Sequence, residues 1–152
     1  MLINRWRVAV LKKDIMTISS CFTEDATYFD PLFGHISRSM IPYLWTYIAE
    51  SRTQLKWDVH DLKYLGDGYW TFRNECSWTF NSNSNMQQKM TCHIQVRDGY
   101  FCGMSMAFSM HEYCSKRYGL VAKILGWNRL YQYRIRLNEL RLLTAHFKIN
   151  QP

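Results

Sequence analysis

The sequence predicts an α+β fold, with N-terminal helices packed in a strongly curved antiparallel sheet and a basic helix added at the C-terminus. Three observations carry this expectation. Up to about residue 50 the apolar residues recur at helical intervals. From Gln54 to Phe108 they alternate with polar ones, as on a pleated strand. Gly-Asp-Gly, Asn-rich and Asp-Gly stretches divide that alternating region into a meander. Helices followed by a run of consecutive strands belong to an α+β domain rather than to a doubly wound one.

Leu2, Ile3, Trp6, Val10 and Leu11 form the apolar face of a first helix, with Arg5, Arg7 and Lys12 for its wet side. Asp14 is placed to cap a second helix whose stripe is Ile15, Ile18 and Phe22. Ala26-Thr27-Tyr28-Phe29-Asp30 then reads as a short strand. Ala26, Tyr28 and Asp30 share one face, Thr27 and Phe29 the other, and Pro31 turns the chain. Past Gly34, Ser37 or Ser39 caps a third helix in which Ile41, Leu44, Trp45 and Ile48 point one way. Pro42 falls in its first turn, where the missing N–H costs little.

In the sheet, Leu55, Trp57 and Val59 alternate with Lys56, Asp58 and His60, and Gly66-Asp67-Gly68 turns into the clearest strand. There Trp70, Phe72, Asn74, Cys76, Trp78 and Phe80 face the helices, opposite Thr71, Arg73, Glu75, Ser77 and Thr79. Asn81 to Asn85 is a hairpin loop. Met90, Cys92, Ile94 and Val96 alternate with Lys89, Thr91, His93 and Gln95 before a turn at Arg97-Asp98-Gly99. The last strand sets Cys102, Met104, Met106 and Phe108 against Phe101, Gly103, Ser105 and Ala107.

Beyond Met110, eight basic residues oppose only Glu112 and Glu139, so the tail holds six of the chain's net seven positive charges. A stripe of Leu130, Tyr133, Leu137, Leu140 and Phe147 is expected to pack, leaving the Arg and Lys side chains as a solvated face. A protein or anionic membrane surface is the less favoured reading of this tail. No specific nucleic acid partner is expected, because the charges share their helices with the apolar stripe.

With 47% hydrophobic and 16% aromatic residues against 20% charged, the 152-residue chain has ample material for one core and is not a disordered segment. Cys21, Cys76, Cys92, Cys102 and Cys114 are an odd count without a Cys-x-x-Cys pair. They read as reduced thiols, and with no signal-like or membrane-spanning apolar run a cytoplasmic location is expected. No metal and no cofactor is expected: the five His lack His-x-x-x-His or Cys-paired spacing, and there is no dinucleotide or phosphate-loop motif.

Glu24-Asp25-Ala26-Thr27, followed closely by Asp30-Pro31 and Gly34, resembles the signature of the nuclear transport factor 2-like superfamily, in its SnoaL-like and ketosteroid-isomerase-like branch. The tail, with Gly119-Leu120, Leu125-Gly126-Trp127 and a basic helix, resembles the ending of one SnoaL-like subgroup. The resemblance implies a cone-shaped single SnoaL-like domain over residues 1–152, a cone at 1–110 and a helical extension at 111–152. It also implies a pocket for a small apolar molecule, lined by Trp6, Phe33, Asn74, Trp78, Cys92, Met104, Met106 and Phe108.

In ketosteroid-isomerase-like relatives the Asp of this Asp-Pro is the general base, so the resemblance implies Asp30 as candidate base with Tyr28 beside it. Those relatives add a Tyr and a protonated Asp that hold the developing oxyanion. Their places fall at about Trp6 and at Thr91 or Cys92, and the subgroup's His and Asp on the last strand fall at Met104 and Met106. The resemblance therefore implies an apolar pocket with one carboxylate and proton-transfer chemistry of the isomerase, cyclase or hydrolase type. Two alternatives stand beside this: the Asp30 carboxylate serves only to accept backbone N–H bonds at its turn, and the chain is a non-enzymatic module docking through its sheet or its basic helix. Asn74, the other polar residue on an apolar face, is expected to pair with Asp30 or Tyr28 or to contact backbone. A homodimer is expected through the sheet's second face, where Thr71, Ser77, Thr79, Thr91, His93 and Gln95 are polar but largely uncharged.

Overall fold

A computed structural model describes residues 1–79 and 85–150. Helices α1 (Leu2–Lys12) and α2 (Ile15–Ser19) lead into strand β1 (Phe22–Asp30) and a short β2 (Gly34–Ile36); a 3-10 turn (Arg38–Met40) then opens α3 (Ile41–Ser51). Strands β3 (Thr53–Gly66), β4 (Tyr69–Thr79), β5 (Asn85–Arg97) and β6 (Tyr100–Ala107) follow, and α4 (Met110–Tyr118), α5 (Leu120–Leu125) and α6 (Arg129–Asn150) complete the chain. The strands form one sheet in the order β2-β1-β6-β5-β4-β3.

That sheet is mixed, where an antiparallel one was expected: β1 lies parallel to β6, with Tyr28 opposite Met104. The chain after β1 runs through α3 and the whole meander before β6 returns beside it; the three antiparallel pairings of the meander set β6 against β3, which itself runs opposite to β1. Curvature has a local cause. Strand β3 carries register shifts between Thr53 and Lys56, between His60 and Lys63 and between Tyr64 and Gly66, and Gln54 and Asp61 take positive φ there. Each bulge bends its strand and adds twist, so the long β3–β4 ribbon wraps over α1 and α3. The two tight hairpins follow the sequence directly. Asp67-Gly68 and Asp98-Gly99 all have positive φ, the geometry of a type I′ turn that Asp-Gly favours.

The strand faces stand as the alternation predicts. Phe72, Trp78, Ile94, Met104 and Met106 are buried, Trp70 and Phe108 pack against the core from its rim, and Arg73 stands in solvent. One exception is Cys102. A register shift between Gln95 and Val96 leaves it unpaired, so Phe101 enters the core instead and the Cys102 Sγ turns to the Gln95 carbonyl at 3.4 Å. Phe22, expected on the second helical stripe, begins β1, because α2 ends at Ser19. Asp14 caps α2 as expected, with Oδ1 accepting from Thr17 N at 3.0 Å and Oδ2 from the Thr17 hydroxyl at 2.6 Å. Neither Ser37 nor Ser39 caps α3; their hydroxyls pair with each other at 3.2 Å, and the 3-10 turn delivers Met40 to the cap position. The hairpin loop expected from Asn81, and Phe80 before it, lie outside the described residues; Asn85 begins β5.

The C-terminal helices correct the sequence reading most. Helix α6 buries Ile135, Glu139 and Leu143, whereas Leu130, Tyr133 and Leu137 of the expected packing stripe point outward and only Leu140 and Phe147 are partly covered. The hydrophobic residues of α6 are spread around the helix, so no stripe alone selects the packed face. Glu139, between Ile135 and Leu143 on that face, helps to hold it. Its Oε2 accepts from the Tyr47 hydroxyl at 3.2 Å and its Oε1 from Tyr118 at 3.3 Å, which pins one side of α6 to α3 and α4.

Candidate functional site

Asp30 ends β1 with its side chain inward, as the alternation requires, and is 4% exposed. Its carboxylate meets three donors: Oδ1 accepts from Leu32 N at 2.7 Å and Phe33 N at 2.6 Å, and Oδ2 accepts from the Tyr28 hydroxyl at 2.8 Å. The turn bonds expected of this residue are present on Oδ1, and the Tyr28 hydroxyl adds a side-chain donor on Oδ2. Pro31 turns the backbone so that the next two amides close onto Oδ1, while among the described residues Oδ2 takes one bond, which leaves it a lone pair for another group. Burial pushes the Asp30 carboxyl above the ordinary carboxylate range; the hydrogen bonds from Phe33, Tyr28 and Leu32 pull it partly back. Burial, with the Asp30 charge beside it, also holds the Tyr28 phenol well above its usual value, so Tyr28 is a neutral donor.

Asp30 and Tyr28 border a cavity of about 30 Å³ whose walls include Phe33, Trp45, Arg52, Met106 and Phe108. That is room for about one or two water molecules, against the roughly 300–1,000 Å³ of a typical ligand site. The space above it is filled by indoles. Trp6 stands edge-on to Trp45 at 4.8 Å and to Trp57 at 4.9 Å, Trp45 lies 5.4 Å from Trp57, and Tyr28 meets Trp45 at 5.7 Å. Of the residues expected to line the pocket, Phe33, Met106 and Phe108 do so, whereas Trp6, Asn74, Trp78, Cys92 and Met104 are buried in the surrounding core.

Asn74 pairs with neither Asp30 nor Tyr28. Its Oδ1 accepts from the Trp57 indole at 3.0 Å, and its Nδ2 meets the Met106 sulfur at 3.9 Å. It joins the two walls of the core instead of facing the cavity. Asn74→Ala should therefore strand the Trp57 N–H and cost about 1–3 kcal/mol in chemical denaturation. At the oxyanion positions of the relatives, Trp6 Nε1 is buried without an acceptor among the described residues, and burial pushes the Cys92 thiol far up, so that it stays neutral.

Arg52, which the sequence analysis did not single out, is the cation of the site. It ends α3 in extended conformation, lies over the Trp78 ring at 4.2 Å, borders the cavity and draws the Asp30 carboxyl downward. Periodicity gives no sign of this, because the residue lies between a helix and a strand and belongs to neither pattern. On the other face of the sheet a hollow of about 360 Å³ opens among Thr27, Phe29, His35, Tyr69, His93 and Gln95. No group of three or more metal-ligating side chains occurs among the described residues, and no helix there is long and apolar enough to cross a membrane.

The architecture is that of the nuclear transport factor 2-like fold, as the signature around Asp30 implied. A hypothetical protein from Catenulispora acidiphila with a ketosteroid isomerase-like fold, solved with trimethylamine, superposes with a TM-score of 0.69 at 13% identity, over 81% of this chain and 95% of that one. An LEH-like epoxide hydrolase from M. tuberculosis gives 0.63 at 16% identity over 82% and 92%, and a candidate polyketide cyclase from Sinorhizobium meliloti 0.58 at 19% over 70% and 93%. By sequence, the chain matches no family model and no curated protein.

Proposed function

We propose that the chain is a single SnoaL-like domain that binds a compact apolar molecule in its cone, and that Asp30 controls the ligand and acts as base in proton transfer of the isomerase, cyclase or hydrolase type. The observation that carries this is a carboxylate buried at a cavity, raised in pKa and left with a free lone pair on Oδ2. Trp45 supports it with a buried indole N–H that has no acceptor among the described residues. Solved proteins of this fold include one crystallised with polyporic acid and the epoxide hydrolase named above, so the architecture accommodates an organic ligand in one case and an enzyme in another. A ligand larger than one or two water molecules requires lining side chains to move, and Met90 and Met106 are the unbranched, adaptable ones among them. A thermal-shift screen of apolar carbonyl compounds and lactones tests the reading. Stabilisation by a compact member of the set is expected; a flat response across it contradicts the proposal.

The small cavity favours a second reading, a non-enzymatic module that docks through its sheet or its C-terminal helix, in which the cone is only core. A homodimer through the outer sheet face fits either reading. His93 and Gln95 line the hollow there, and Thr71, Thr79 and Thr91 add uncharged polar surface beside the Arg73–Asp61 and Lys89–Glu75 ion pairs. A monomeric mass in light scattering at micromolar concentration contradicts it. A cytoplasmic site of action is part of this proposal and rests on five cysteines that form no disulfide.

A further inference from the structure

Leu130, Tyr133 and Leu137 of the expected α6 stripe face solvent, and they do not do so alone. In α5, Leu120, Val121, Ile124 and Leu125 occupy one arc of a short helix whose opposite side buries Ala122, and Leu120 and Ile124 are 74% and 70% exposed. Trp127 follows at 74% exposed, one ring face stacked on His111 at 4.1 Å and 20° and the other turned to water. Gly126 makes that placement feasible, since a Cβ there would stand 2.4 Å from the Ala122 carbonyl oxygen and 2.9 Å from the His111 ring. Leu130, Tyr133 and Leu137 then continue the apolar strip along the outward side of α6. Exposed apolar residues on this scale mark an interaction surface.

The charges beside the strip have one sign. Lys123, Arg129, Arg134 and Arg141 are exposed and make no ion pair among the described residues. The only acid of α6, Glu139, is buried on the opposite side under Tyr47 and Tyr118, and Glu112 of α4 is tied to Lys116 at 2.6 Å. An aliphatic strip with a held tryptophan at its centre and uncompensated Lys and Arg along its edge matches a bilayer interface, where aliphatic side chains and Trp enter the acyl boundary and cations meet lipid phosphates. A protein partner would have to supply both a hydrophobic groove and an acidic rim; an anionic membrane supplies them together.

We propose that the face formed by α5, Trp127 and the first three turns of α6 docks on an anionic lipid bilayer. The full chain is sedimented with vesicles of phosphatidylcholine alone and of phosphatidylcholine mixed with phosphatidylserine. Binding to the mixed vesicles is expected to exceed binding to the neutral ones about tenfold or more, and to weaken as salt is added. Trp127 emission should shift to the blue, and Trp127→Phe should remove the shift while leaving most of the binding. The triple variant Leu120→Ser, Ile124→Ser, Leu130→Ser should lose binding about tenfold or more, and Arg129→Gln with Arg134→Gln and Arg141→Gln should abolish the preference for phosphatidylserine. These positions are exposed, so an unchanged melting temperature is expected and certifies the fold. Equal binding to both vesicle types, no binding, or wild-type binding by the triple Ser variant overturns the proposal. So does a wild-type dimer that the triple Ser variant dissolves, because the strip then joins two copies of the chain.

Discussion

Replacing Trp6 by Ala should cost about 3–5 kcal/mol of stability, a large part of the roughly 5–15 kcal/mol that holds a domain of this kind. Trp6 is fully buried and touches Trp45, Trp57 and Phe101 edge-on at 4.8, 4.9 and 5.8 Å, so the truncated side chain leaves a void bounded by three rigid rings that cannot close over it. Its indole N–H has no acceptor among the described residues, which makes Trp6→Phe much milder, at about 1–2 kcal/mol, since volume is lost but no hydrogen bond. Urea denaturation of the three proteins measures both differences. Equal losses for Ala and Phe would show that the N–H, rather than the ring packing, matters here.

The second large effect is at Asp30. Its folded carboxyl titrates above its unfolded counterpart, so the folded state holds the proton more tightly. The associated stabilisation is complete below the ordinary carboxylate value of about 3.9 and is lost as pH rises through the raised folded value. Asn cannot ionise, keeps an oxygen for the Leu32 and Phe33 amides and can donate to the Tyr28 oxygen. Asp30→Asn should therefore gain stability relative to the wild type across that window, and the gain should level off at higher pH. Any ligand response found in the thermal-shift screen should disappear in the same variant. A purely structural carboxylate gives the reverse: a loss of about 1 kcal/mol or more at neutral pH, as charge-assisted bonds weaken, with an unaltered ligand response.

Much of the fold was legible because its signals are local. Asp67-Gly68 and Asp98-Gly99 specify their turns by the conformations those residues tolerate, Asp14 specifies its cap, and strict alternation set Phe72, Trp78, Ile94 and Met106 inward. Asp30 was legible for the same reason, since its side follows from Ala26 and Tyr28 and its bonds from the Pro31 turn. What stayed hidden depends on contacts distant in sequence. The bulge that exchanges Cys102 for Phe101 exists only in the pairing of β5 with β6, the parallel neighbour of β6 only in the closed sheet, and the packed face of α6 in its contacts with α3 and α4, among them Tyr47 and Tyr118 on Glu139 and Tyr43 on Phe147. Arg52 reaches the cavity from the junction of α3 and β3, and the filling of the cone by Trp6, Trp45 and Trp57 joins three elements that the sequence lists far apart.

The most direct test of Asp30 as the polar centre of a ligand site is a pH titration of its carboxyl carbon by NMR, assigned through Asp30→Asn, without and with the best stabilising compound from the screen. The account predicts a titration above the ordinary carboxylate range in the free protein and a further displacement when the compound is bound. A titration at or below that range, unmoved by the compound, would contradict it.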